Sequence, residues 1–152
     1  MAELKVGAKA PDFTLPTGDG TTISLKDLKG KKVVLYFYPK DDTSGCTREA
    51  CSFRDNITMV RKKGAVVIGV STDSPASHKK FAEKYDLPFT LVSDEKQAMV
   101  KSYGVWKEKS LYGRKYMGTE RTTFVIDESG KITHIFTKVK VDGHIDEVLK
   151  TL

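Results

Sequence analysis

From Val33 to Cys51 the chain reads Val-Val-Leu-Tyr-Phe-Tyr-Pro-Lys-Asp-Asp-Thr-Ser-Gly-Cys-Thr-Arg-Glu-Ala-Cys, which allows little besides a strand, a turn and a helix start. Val33 to Tyr38 is unbroken apolar sequence rich in β-branched and aromatic residues, the pattern of a strand covered on both faces. Pro39 ends it. Asp41 to Gly45 is turn chemistry, and Thr43 or Ser44 can cap the helix that follows. Cys46 then falls in the first helical turn, and the only other cysteine, Cys51, lies in the same helix.

A thiol at a helix start has a chemical consequence, because unpaired backbone N–H groups and the positive end of the helix dipole favour thiolate over thiol. An ordinary free thiol, with a pKa of about 8.5, is only ~3% ionised at pH 7, so full ionisation adds at most ~30-fold in nucleophile. Part of that is returned, since a less basic thiolate attacks less readily. Larger acceleration must come from groups that stabilise the transition state. Thr43 and an arginine supplied from elsewhere in the chain are the candidates. The opposing reading is two buried thiols acting as small hydrophobes.

The residues also carry a resemblance. Pro39, Thr43 and Cys46 match the Pro-x-x-x-Thr-x-x-Cys motif of peroxiredoxins, and Gly45 to Cys51 is similar to the peroxiredoxin Q group, also called bacterioferritin comigratory proteins. Tyr103-Gly104-Val105-Trp106, Tyr116-Met117-Gly118 and Arg121 to Asp127 resemble segments of the same family in the same order, so the likeness covers nearly the whole chain. One departure is Ser44, where many relatives have proline.

The resemblance implies one domain over residues 1–152 with a thioredoxin-like fold and an N-terminal extension. It also implies a thiol peroxidase of antioxidant defence that reduces hydrogen peroxide and organic hydroperoxides. In that scheme Cys46 attacks the peroxide and becomes a sulfenic acid, and Cys51 condenses with it to a disulfide. Thr43, the backbone N–H of Cys46 and Arg121 bind the charged transition state, Pro39 shapes the turn and shields the sulfur, and Glu49 orients Arg121. A thioredoxin-like or glutaredoxin-like reductant recycles a monomeric enzyme. Taken without the family pattern, an arginine at a strand start such as Arg121 is most often a surface ion pair. On an ideal helix, residues five apart have Cα atoms ~8.7 Å apart. A disulfide needs ~6.8 Å or less, so Cys46 and Cys51 cannot bond while both stay helical.

The rival from another class is a thioredoxin-like disulfide exchanger or partner-binding module. Such exchangers use Cys-x-x-Cys, whereas this chain has Cys-x-x-x-x-Cys. Net charge is +6, but the lysines are interleaved with acids, as on a solvated surface, and no nucleic-acid motif accompanies them. The longest apolar runs are about six residues, well short of the ~20 of a membrane span, and no signal pattern opens the chain. The expectation is therefore a cytoplasmic protein with no membrane and no nucleic-acid partner. His78, His134 and His144 are scattered, and no glycine-rich phosphate loop is present, so neither metal nor organic cofactor is expected.

Periodicity supplies the rest. Phe13–Leu15 and Thr22–Leu25 form a hairpin about Thr17-Gly18-Asp19-Gly20. Cys46, Ala50, Phe53, Ile57 and Val60 form one core-facing stripe of a helix closed by Gly64. Ala65–Val70 is a second buried strand, and Ser74 with Pro75 starts a helix packed through Phe81, Ala82 and Tyr85. Thr90–Val92 is a strand and Lys96–Tyr103 a helix. Lys107–Gly118 reads as a surface loop, with Trp106 and Tyr112 as candidates for the substrate entrance. Arg121–Ile126 and Ile132–Phe136 are strands, and Asp142 caps a last helix with Ile145, Val148, Leu149 and Leu152 inward. Strands alternating with helices predict an α/β fold, a central mixed β-sheet flanked by helices.

Overall fold

The computed structural model describes residues 4–152. In chain order the elements are β1 (Thr14–Pro16), β2 (Thr22–Ser24), a 3-10 turn at Leu25–Leu28, β3 (Lys32–Phe37), α1 (Ser44–Asp55) and α2 (Ile57–Lys62). There follow β4 (Ala65–Ser71), α3 (Pro75–Tyr85), β5 (Thr90–Ser93), α4 (Ala98–Ser102), β6 (Trp106–Leu111), β7 (Arg114–Thr119), β8 (Thr122–Ile126), β9 (Ile132–Phe136) and α5 (His144–Leu149).

Five strands form the central sheet in the order β5-β4-β3-β8-β9, with β3, β4 and β5 parallel and β8 antiparallel to both β3 and β9. The apolar run of β3 is its middle strand. Because side chains alternate along a strand, Val33, Leu35 and Phe37 enter one core with Met99, Val100 and Tyr103. Val34, Tyr36 and Tyr38 enter the other with Cys46, Ala50, Phe53, Val60 and Phe81. This second core presses α1 onto the sheet, and burying a side chain such as Phe53 contributes ~2–3 kcal/mol. Gly69 on β4 admits the Tyr36 ring, since a Cβ there would lie 2.9 Å from its Cζ.

Several expectations change. Lys107–Gly118 is not a loop: β6 and β7 pair along their whole length as an antiparallel hairpin. Its turn is Tyr112-Gly113, both with positive φ (51° and 77°), the conformation that two-residue hairpin turns require. Polar residues on both faces concealed the alternation. The stripe from Cys46 to Val60 is split between α1 and α2 at Asn56, whose side-chain amide donates to the Ser52 carbonyl at 2.8 Å and so competes with the helical ladder. Asp142 does not cap α5; Gly143, with φ 80°, is the cap residue, and Asp142 pairs with Arg48 of α1 at 2.8 Å. Finally, α4 is shorter than Lys96–Tyr103, and its first turn is held by Asp94, whose carboxylate accepts from the N–H groups of Met99 and Val100.

Candidate active site

The C-terminal end of β3 delivers the chain through half-buried Pro39 into the turn and α1. Thr43 is the N-cap by its extended backbone, but its hydroxyl donates to the Lys40 carbonyl at 2.9 Å and makes no capping bond. Cys46 is the third residue of α1, within the turn whose N–H groups lack an intrahelical acceptor. Its side chain is buried in the core beneath the helix, at 2% exposure, so the sulfur is shielded from bulk solvent.

Arg121 immediately precedes β8, which pairs with β3 and so brings residues 75 positions apart together. One guanidinium nitrogen donates to Cys46 Sγ at 3.3 Å and the other donates to Glu49 Oε1 at 2.6 Å. This is no surface ion pair: the Glu49 side chain is 2% exposed and that of Arg121 17%. Gly45 makes room, because a Cβ there would stand 3.2 Å from the guanidinium. The planar fork thus bridges thiol and carboxylate, as only arginine can. Pro39, Thr43, Cys46 and Arg121 surround one helix start. Cys51 is a half-buried free thiol further along α1, still within the helix.

Burial pushes the Glu49 carboxyl up to about 7 from an ordinary 4.5, against the opposing pull of Arg121, and its second oxygen is buried with no hydrogen-bond partner. Burial works against the charge of Arg121, but Glu49 and Cys46 outweigh it and hold the guanidinium above its usual range. The Glu49 shift makes a prediction. A folded carboxyl that holds its proton more tightly than the unfolded one favours folding in acid. That contribution is full below about pH 4.5 and is lost as the pH rises to about 7, an amount of ~3 kcal/mol. Urea unfolding across that window is expected to show this loss in the unaltered protein and not in Glu49→Gln. A stability difference between the two that stayed constant with pH would contradict it.

Sequence reasoning missed Lys109. Half-buried on β6, it lays its aliphatic chain over Gly118 of β7, where a Cβ would meet its Cδ at 3.2 Å. Burial and the neighbouring Arg121 hold its ammonium below the usual lysine range, while Cys46 and Glu120 oppose them, so its charge lies in the field of the thiol. The only available signal was Tyr112-Gly113, a hairpin turn inside apparently featureless sequence. Tyr112 itself stands at the hairpin tip, 98% exposed, and Trp106 packs against the core on the α4 side of the sheet.

A buried thiol at a helix start, bridged by an arginine fork to a carboxylate, defines a cysteine-based redox enzyme of mixed-sheet α/β fold. The AhpC/TSA family model matches residues 6–135. A putative peroxiredoxin of the Bcp type from Coxiella burnetii is 57% identical over 149 residues, covering 98% of this chain and 99% of the relative. The solved structure of a peroxiredoxin Q from Xylella fastidiosa superposes with a TM-score of 0.93 at 35% identity, covering 99% and 96% of the two chains. The bacterioferritin comigratory protein of Xanthomonas campestris, whose structures concern alkyl peroxide reduction, gives 0.90 at 40% identity over 99% and 96%. The chain therefore belongs to the AhpC/TSA family, in its peroxiredoxin Q or Bcp group, and is a thiol-dependent peroxidase with the thioredoxin-like fold of these relatives.

Proposed function

We propose that Cys46 is the peroxidatic cysteine and Cys51 its resolving partner, and that both hydrogen peroxide and organic hydroperoxides are substrates. The observation that carries this is the Arg121 fork on Cys46 Sγ, which places a cation where negative charge develops. The Cys46 thiolate attacks one peroxide oxygen, the O–O bond breaks, and the leaving oxygen departs with a proton as water or an alcohol. Arg121 and the Cys46 N–H stabilise the charge on both oxygens. Thr43, with its proton engaged by Lys40, offers oxygen lone pairs to the peroxide O–H. Pro39 walls the turn. The Cys51 sulfur then attacks the sulfenic sulfur, an S–S bond forms, and hydroxide leaves and is protonated to water. Two electrons from a thioredoxin-like or glutaredoxin-like dithiol restore the thiols of a monomeric enzyme. The alkyl peroxide activity of the Xanthomonas relative supports organic substrates.

Both cysteines lie in α1 in the reduced protein, five residues apart, so the resolving step must unwind part of that helix. Gly45 has the backbone freedom to leave the helical conformation, whereas Phe53 is held in the core. Hydrogen exchange on the two redox forms tests the scheme. Faster exchange confined to the segment from Cys46 to Phe53 is expected in the oxidised form, and mass spectrometry of the same sample should show the Cys46–Cys51 bond. Equal protection in both forms would refute the unwinding.

A further inference from the structure

The catalytic turn is fastened upstream by a buried polar knot that the peroxide chemistry does not use. Asp41, two residues before Thr43, accepts the Tyr38 hydroxyl on Oδ1 at 2.5 Å and the Ser77 hydroxyl on Oδ2 at 2.8 Å. Its Oδ2 also lies 2.7 Å from Nδ1 of His78, and its backbone N–H donates to Asp73 Oδ2 at 2.8 Å. His78 is wholly buried, and its other nitrogen, Nε2, is 2.9 Å from the Val92 carbonyl. Gly18 seals the knot, for a Cβ there would stand 2.9 Å from His78 Cβ.

A carbonyl oxygen can only accept, so Nε2 is the donor toward Val92, and Nδ1 lies within hydrogen-bond reach of the Asp41 oxygen that also accepts from Ser77. Asp41, Asp73 and His78 form the one cluster of metal-ligand type among the described residues, yet each already has a protein partner. The knot is a fastening. Next to it, Asp42 takes a left-handed φ of 55° and accepts from Lys84 Nζ and Tyr85 Oη, both at 2.7 Å. Helix α3 thus grips two successive residues of the turn.

We infer that His78 is a positioning residue for peroxide reduction: through Asp41 it holds the turn in the shape that presents Thr43 and Cys46 to peroxide, and so opposes the unwinding that disulfide formation needs. The second half rests on the Cys46–Cys51 reading above. Loosening the knot then changes the two chemical steps in opposite directions, which a general loss of stability does not do.

Stopped-flow oxidation of reduced protein by hydrogen peroxide separates the steps, with sulfenic acid formation followed by disulfide closure. In His78→Leu the first step is expected to slow ~10-fold and the second to quicken severalfold, with His78→Gln, which keeps one donating nitrogen, falling between. Ser77→Ala removes a single bond to the same Asp41 oxygen and should show smaller shifts of the same signs, so a His78→Leu chain that fails to fold leaves the inference open to refutation. Unchanged rates in folded His78 and Ser77 variants, or two rates falling together, would overturn it. If the unaltered protein formed no Cys46–Cys51 bond, the resolving scheme would fall, and the rate of the first step alone would judge His78.

Discussion

Cys46→Ser is expected to abolish peroxide reduction altogether, while Cys51→Ser keeps one rapid oxidation per molecule and loses turnover with a dithiol reductant. Serine at position 46 fills nearly the same buried space, so the fold should persist, but its hydroxyl is not ionised at neutral pH and is a poor nucleophile toward peroxide oxygen. Serine at position 51 leaves the Arg121–Cys46–Glu49 geometry intact, since Cys51 makes none of those contacts. The Cys51→Ser protein should therefore stop as the Cys46 sulfenic acid, trapped by a dimedone-type reagent and counted by mass spectrometry. If Cys51→Ser reacted with peroxide no better than Cys46→Ser, the two roles would have to be reassigned.

Arg121→Lys carries the second large effect, a loss of ~10²- to 10³-fold in the rate of Cys46 oxidation with the fold retained. Arg121 binds two groups at once, Sγ at 3.3 Å and Glu49 Oε1 at 2.6 Å, from one rigid plane. A lysine ammonium at the end of a flexible chain would pair with the buried Glu49 carboxylate, the stronger partner, and leave the sulfur without its donor. Folding should suffer less, because Glu49 keeps a counter-charge. A circular dichroism melt together with the stopped-flow oxidation rate separates the two, and a near-normal rate in a folded Arg121→Lys protein would remove Arg121 from the transition state.

Much of this could be read from the linear chain, for local reasons. The apolar run of β3, the stop at Pro39 and the turn residues before Cys46 act within a few positions of one another, and each proved to lie where local chemistry puts it. Ser74 and Pro75 opened α3 for the same reason, with the Ser74 hydroxyl accepting from the Ser77 N–H. The hairpin β6–β7 was hidden because neither of its faces is wholly buried, so no alternation of apolar and polar residues marks it. The split at Asn56 was hidden because an amide that bonds back to a helix carbonyl and one that points to water look alike in a sequence.

Sequence alone determined that a strand ends in a turn that sets a cysteine on a helix start, and the motif likeness singled out Pro39, Thr43 and Arg121 around it. Only the tertiary structure decided what that cysteine faces. The antiparallel pairing of β8 with β3 lays Arg121 across Cys46 and Glu49, and the packing of α1 on the sheet buries Glu49 deeply enough to lift its carboxyl to about 7. The packing of α3 brings His78 against Asp41, and the β6–β7 hairpin carries Lys109 into the field of the thiol. Helix starts and turns are set by neighbours along the chain. Burial and charge at the site are sums over groups that meet only when the sheet closes, and distance in sequence carries no trace of them.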